Sequence, residues 1–125
     1  MEEVEIFIRK AETKLNTAKI LCEEEIYEDA ISRAYYSMYY AAKALLRTRN
    51  IFTKTHKGLI SKLGLEFVKN GELEEEYASM IATVEERRER ADYDAYYEPS
   101  RDEAEKIIED VERFLERIKK AIKEE

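Results

Sequence analysis

The sequence predicts an all-α fold, an antiparallel up-and-down four-helix bundle with an additional helix, five helices in total. Apolar residues recur at three- and four-residue steps along nearly all of the 125 residues. One proline and three glycines leave too little turn chemistry for the hairpins of a β-sandwich or barrel. Hydrophobic residues at 44% exclude a disordered chain, and charged residues at 41% supply its solvated surface. A chain of this length buries one adequate core without disulfide or metal staples, so residues 1–125 are read as one domain.

The first helix is predicted over residues 3–24, with Val4, Phe7, Ile8, Ala11, Leu15, Ala18, Leu21 and Cys22 on one face. Cys22 on that stripe reads as an inert core thiol. The second runs from about Tyr27 to Arg49 and buries Ile31, Ala34, Tyr35, Met38, Ala41, Ala42 and Leu45. Tyr39 is assigned to the core with Tyr35. Thr55 is a plausible N-cap for a third helix carrying Leu59, Ile60, Leu63, Phe67 and Val68. Asn70-Gly71 ends it, because both residues tolerate the left-handed backbone of a helix stop. The fourth spans about 73–93 with Leu73, Tyr77, Met80, Ile81, Val84 and Ala91 inward. The segment 94–99 breaks the pattern, and Tyr96-Tyr97 reads as a loop pair covering the end of the bundle. Ser100 and Glu103 form a capping box for the fifth helix, whose inner face is Ala104, Ile107, Ile108, Val111, Phe114, Leu115, Ile118 and Ile122.

Several function classes fall away on composition. One cysteine excludes an internal disulfide and any multi-thiolate zinc site, and one histidine excludes every His-pair metal motif. No metal or cofactor is expected. The start is acidic without an apolar signal region, and no stretch approaches a membrane span, so a cytoplasmic protein is expected. Absence of glutamine, a single cysteine and abundant Glu, Lys and Arg suit a thermophilic source.

Charge is unevenly distributed. Residues 33–69 hold eight basic residues against Glu66 alone, a local +7 in a chain of net −7, so the remainder carries −14. Such a stretch is an electrostatic footprint for phosphate, whether nucleotide or nucleic acid. Alternatively, the basic second and third helices pair with the acidic first and fourth inside the bundle. Overall acidity argues against tight non-specific DNA binding. On the second helix Arg33, Tyr36, Ser37, Tyr40 and Arg47 fall on a stripe beside the apolar one. A guanidinium, hydroxyl donors and stacking rings together suit a phosphate-bearing ligand. The same tyrosines would equally line a helix–helix or subunit seam.

The strings Arg33-Ala34-Tyr35-Tyr36, Thr55-His56-Lys57-Gly58-Leu59 and Arg90-Ala91-Asp92-Tyr93 occur in that order. With them the whole chain resembles the HEPN domain, and in particular its small stand-alone prokaryotic members. The resemblance implies a helical bundle that forms homodimers, often paired with a minimal nucleotidyltransferase as the toxin half of a toxin–antitoxin couple. It also implies binding of nucleotide or RNA and, in catalytic members, metal-independent ribonuclease activity through Arg-x(4–6)-His on one helix. Arg33 matches the arginine of that motif, and Tyr40 stands where the histidine belongs. A phenol keeps its proton at neutral pH and is a poor general base, although it still donates a hydrogen bond. A degenerate, binding-only site is therefore the leading expectation.

His56 is the sole imidazole. It either supplies the missing base and a phosphate contact at the start of the third helix, or is a solvated first-turn residue. Lys57 beside it joins the expected nucleotide-binding set. Asp92 and Tyr93 complete that set, Asp92 as a partner for the Arg33 guanidinium or as a solvated acid. The remaining alternatives are an active endoribonuclease using His56 or Tyr40, and a non-catalytic dimerisation module.

Overall fold

The computed structural model describes residues 2–125 and contains five α-helices, with no strand among the described residues. They are α1 (Glu2–Glu23), α2 (Tyr27–Arg47), α3 (His56–Leu63), α4 (Glu75–Tyr93) and α5 (Arg101–Lys123). None is long and apolar enough to cross a membrane. α2 is the central element and packs against each of the other four. Its buried set is wide because alanines 30, 34, 41, 42 and 44 flank Ile31, Tyr35, Met38, Leu45 and Leu46. α1 presents Ala11, Leu15, Ala18 and Cys22 to the same core, and α5 closes it with Ile107, Ile108, Val111, Phe114, Leu115 and Ile118. Small residues on α1 and α2 permit close approach: Ser37 Oγ donates across the seam to the Ala11 carbonyl at 2.7 Å.

Three helix ends share one hydrogen-bonding solution. After α1, Ile26 N–H donates to Leu21 O and Glu25 N–H to Cys22 O. After α2 the pairs are Ile51 to Leu46 and Asn50 to Arg47, and after residue 68 they are Glu72 to Phe67 and Gly71 to Val68. This is the Schellman arrangement, which needs a left-handed residue just past the helix. Glu25, Asn50 and Gly71 occupy it at φ 65°, 58° and 76°.

The third helix departs from the sequence expectation. The α-helical part stops at Leu63 and continues as one π-helical turn, Gly64–Val68, where Lys69 N–H reaches back to Gly64 O at 2.9 Å. A widened turn shifts the carbonyl register, and the Glu66 carbonyl is taken by Arg49 Nη1 at 2.8 Å and Asn70 Nδ2 at 2.9 Å. Phe67 and Leu73 stay buried while Leu65 is left exposed. α4 begins at Glu75 rather than 73, with Leu73 packed into the core from the preceding loop. At α5 Ser100 Oγ accepts from Glu103 N–H at 3.1 Å, but the Glu103 carboxylate accepts from the Tyr97 hydroxyl at 2.5 Å. The capping box is thereby half realised. The aromatic loop pair also splits, since Tyr97 is buried and Tyr96 is 94% exposed.

Glu25 carries a Cβ in a conformation where glycine has none to strain. Glu25→Gly is expected to stabilise the fold by about 0.5–1 kcal/mol, net of the added freedom of the unfolded chain. Urea denaturation with an unchanged or lower midpoint would contradict it.

Candidate functional site

α2 delivers four tyrosines into two different neighbourhoods. Tyr35 is fully buried, and Tyr36, Tyr39 and Tyr40 are half-buried. His56, the first residue of α3, is held at the helix start by the Thr55 cap, whose Oγ1 accepts from Gly58 N–H at 2.9 Å. The imidazole lies among Tyr35, Tyr36 and Tyr39, with ring centroids 5.4, 5.9 and 5.0 Å away. Its Nδ1 is 2.7 Å from the Tyr35 hydroxyl and 3.7 Å from Glu85 Oε2 on α4.

Beneath that ring cluster lies a buried charge pair. Glu85 and Arg88 are only 7% and 5% exposed. Arg88 Nε donates to Glu85 Oε1 at 2.9 Å, its Nη2 lies in ionic contact with the same oxygen at 2.6 Å, and its Nη1 donates to Asp92 at 3.2 Å. Its guanidinium also sits 5.4 Å from the Tyr35 ring centroid and 5.9 Å from that of Tyr36. Burial alone would depress the Arg88 pKa, but the bonds to Glu85 and Asp92 hold it above the usual arginine value. Burial, reinforced by the Glu85 carboxylate, pushes the Tyr35 phenol well above the tyrosine range. Burial also raises Tyr36. Both phenols are therefore hydrogen-bond donors at neutral pH.

The predicted stripe on α2 is divided by this packing. Tyr36 belongs to the His56–Arg88 cluster. Tyr40 instead stacks on Phe7 of α1 at 6.1 Å, with Lys10 Nζ over its ring at 5.3 Å. Tyr39 touches both groups, 6.0 Å from Tyr36 and 5.3 Å from Tyr40 between centroids. Placement of Tyr39 in the core is thus corrected to a half-buried bridge. Ser37 is wholly buried and committed to Ala11, so it leaves the set of surface candidates. Arg47 is ion-paired with Glu3 and held 4.0 Å from the Phe52 ring and 5.3 Å from that of Phe7. Arg33 and Lys57 are exposed and form no ion pair among the described residues. Asp92 bonds Arg88, not Arg33, and Tyr93 is 81% exposed at the end of α4. His56 is not a freely solvated first-turn residue. Its partner is Tyr35, not Arg33 or Tyr40.

Glu85 and Arg88 were absent from the sequence-derived site, yet a signal for them exists. They continue the inner stripe of α4, four and seven residues past Ile81, where an amphipathic helix ordinarily carries apolar side chains. The alternative in which the basic stretch pairs off within the bundle is realised only at two residues. Arg47 bonds Glu3, and Arg49 bonds Glu72 and Glu125. Arg33, Lys43, Lys54, Lys57, Lys62 and Lys69 enter no ion pair among the described residues. The acids flanking and within α4 are taken largely by arginines of α4 and α5: Glu86 by Arg87, Glu76 by Arg113 and Glu74 by Arg117.

With that bundle and cluster in place, comparison with known proteins fixes the class: residues 4–121 match the HEPN domain, and the chain belongs to that family. It is similar to two Methanocaldococcus jannaschii proteins, each named "Putative toxin". One is 46% identical over 98% of this chain and 91% of the relative, the other 41% identical over 94% and 80%. A UPF0332 protein of Archaeoglobus fulgidus is 38% identical, covering 98% of this chain and 97% of its own length.

Removing one member of the buried pair strands the other without compensation. Arg88→Met is expected to cost about 3–5 kcal/mol in chemical denaturation. Combining it with Glu85→Leu should recover most of that loss, because both charges then leave the interior together. A double variant no more stable than the single one would count against this account.

Proposed function

We propose that this HEPN protein is a binding module for nucleotide or RNA and the toxin-like partner of a minimal nucleotidyltransferase, acting as a homodimer. The observation that carries the reading is a cationic surface left uncommitted beside half-exposed rings. Arg33 and Lys57 flank Tyr36 and His56 in sequence, and Lys43 Nζ lies 5.4 Å from the Tyr39 ring centroid. Cations placed to track phosphates, with rings on which bases stack, are the parts single-stranded nucleic acid requires. Its relatives' names agree with a toxin-like role. The leading motif of the family's nucleases is altered, because Tyr40 replaces the histidine and its ring is engaged with Phe7 and Lys10.

A mixed-sequence RNA oligonucleotide, titrated by fluorescence anisotropy, tests the proposal. The double variant Arg33→Ala/Lys57→Ala should bind about tenfold more weakly, and the slope of log K against log salt should fall by about 1.4 for two lost contacts. Equal affinity and slope in wild type and variant would reject it.

One observation favours a second reading, metal-independent ribonuclease activity. His56 is held by a phenol at Nδ1 and is partly exposed, an arrangement able to move a proton at the other ring nitrogen. Under this reading, RNA cleavage persists in chelator and is lost in His56→Ala. Absence of cleavage by the wild-type protein leaves binding alone.

A further inference from the structure

We infer that Tyr35 and the buried Glu85–Arg88 pair are positioning residues that hold His56 with Nδ1 turned inward, so that Nε2–H is offered to a ligand phosphate oxygen. This rests on the binding function proposed above and deepens it by naming the donor atom. The Tyr35 hydroxyl is 2.7 Å from Nδ1, inside hydrogen-bond distance, while Glu85 Oε2 at 3.7 Å is outside it. A buried phenol beside a carboxylate keeps its proton, and we assign its hydroxyl as the donor and Nδ1 as the acceptor of this bond. In a neutral imidazole the one ring proton must then reside on Nε2.

Arg88 holds the Glu85 carboxylate through its other oxygen, Oε1, with a hydrogen bond from Nε and an ionic contact from Nη2, which leaves Oε2 3.7 Å from Nδ1 and too far to compete with the phenol. The Arg88 guanidinium in turn lies against the Tyr35 and Tyr36 rings. The inner layer of α4 therefore fixes the phenol, the phenol fixes the ring, and the ring presents a donor. Arg33 and Lys57 are point charges on exposed side chains. A directional N–H on a ring wedged between tyrosines adds what they lack, a defined place for one oxygen.

Because the chain has one histidine, its two ring nitrogens give unambiguous ¹⁵N signals. In mildly alkaline buffer the wild type should show the Nε2–H tautomer. In Tyr35→Phe, which keeps the packed ring, Glu85 becomes the nearest partner of Nδ1 and draws the ring proton there. RNA affinity should fall about tenfold with it, the loss of one hydrogen bond to a charged group. His56→Gln, whose amide mimics Nε2, should retain more affinity than His56→Asn, whose amide mimics Nδ1. A wild-type Nδ1–H tautomer, or equal affinities for the Gln and Asn variants, overturns the inference. If Tyr35→Phe leaves both tautomer and affinity unchanged while Arg33→Ala/Lys57→Ala still weakens binding, the positioning role fails and the binding function stands. If wild type binds no RNA, the binding function fails, and the phosphate role of His56 fails with it.

Discussion

The pair of opposite charges on the inner face of α4 ties the packing of α4 to the ring cluster around His56. Taking Glu85 and Arg88 out of water is unfavourable, and their attraction offsets that cost only with good geometry and further hydrogen bonds. Both conditions are met, by a hydrogen bond and a close ionic contact within the pair, a second hydrogen bond to Asp92 and two aromatic faces. An apolar pair of similar volume would do as well or better for stability alone. What the charges add is registry. In the rotation of α4 that pairs them, a carboxylate stands 3.7 Å from the imidazole at the start of α3.

Surface charge works differently. The ion pairs joining α4 and α5, and those joining α1 and α5 through Lys19–Glu112 and Lys119–Glu12, are largely exposed and contribute little each. Their effect is on the field. Arginines and lysines of α4 and α5 neutralise the acids beside them, and the +7 stretch from 33 to 69 gives up only Arg47 and Arg49. An acidic protein thereby keeps six cations of residues 33–69 outside any ion pair among the described residues. That local excess, rather than net charge, is what an approaching polyanion meets.

The helices were legible because each buries one continuous stripe at a period of 3.6, and Gly71 marks its stop by backbone freedom alone. The stop at Glu25 was not, since nothing in a glutamate announces φ 65°. Nor was the π turn, whose Glu66 carbonyl is satisfied by the side chains of Asn70 and of Arg49 just past the end of α2. Within the site, the error was one of angle. At 100° per residue, Ser37 sits about 100° round the helix from Tyr36. That rotation carries it into the α1 seam, while Tyr36 faces His56. Tyr40 lies only about 40° from Tyr36 but one turn along, where Phe7 replaces His56 as neighbour. A stripe read from one helix cannot say which partner helix flanks each of its turns.

The same neighbours separate binding from cleavage. Breaking an RNA strand by attack of its 2′-hydroxyl needs one group to take a proton and another to give one. Around this site the phenols of Tyr35 and Tyr36 are held in their protonated form, and Glu85 is occupied by Arg88. The single imidazole of the chain is the group there suited to take a proton near neutral pH. One such group serves half of the reaction, and the Tyr35 and Tyr36 phenols, raised by burial, are poor proton donors for the other half. Recognition has no such requirement. The parts proposed for it, exposed cations, half-buried rings and the His56 donor, all belong to a single copy.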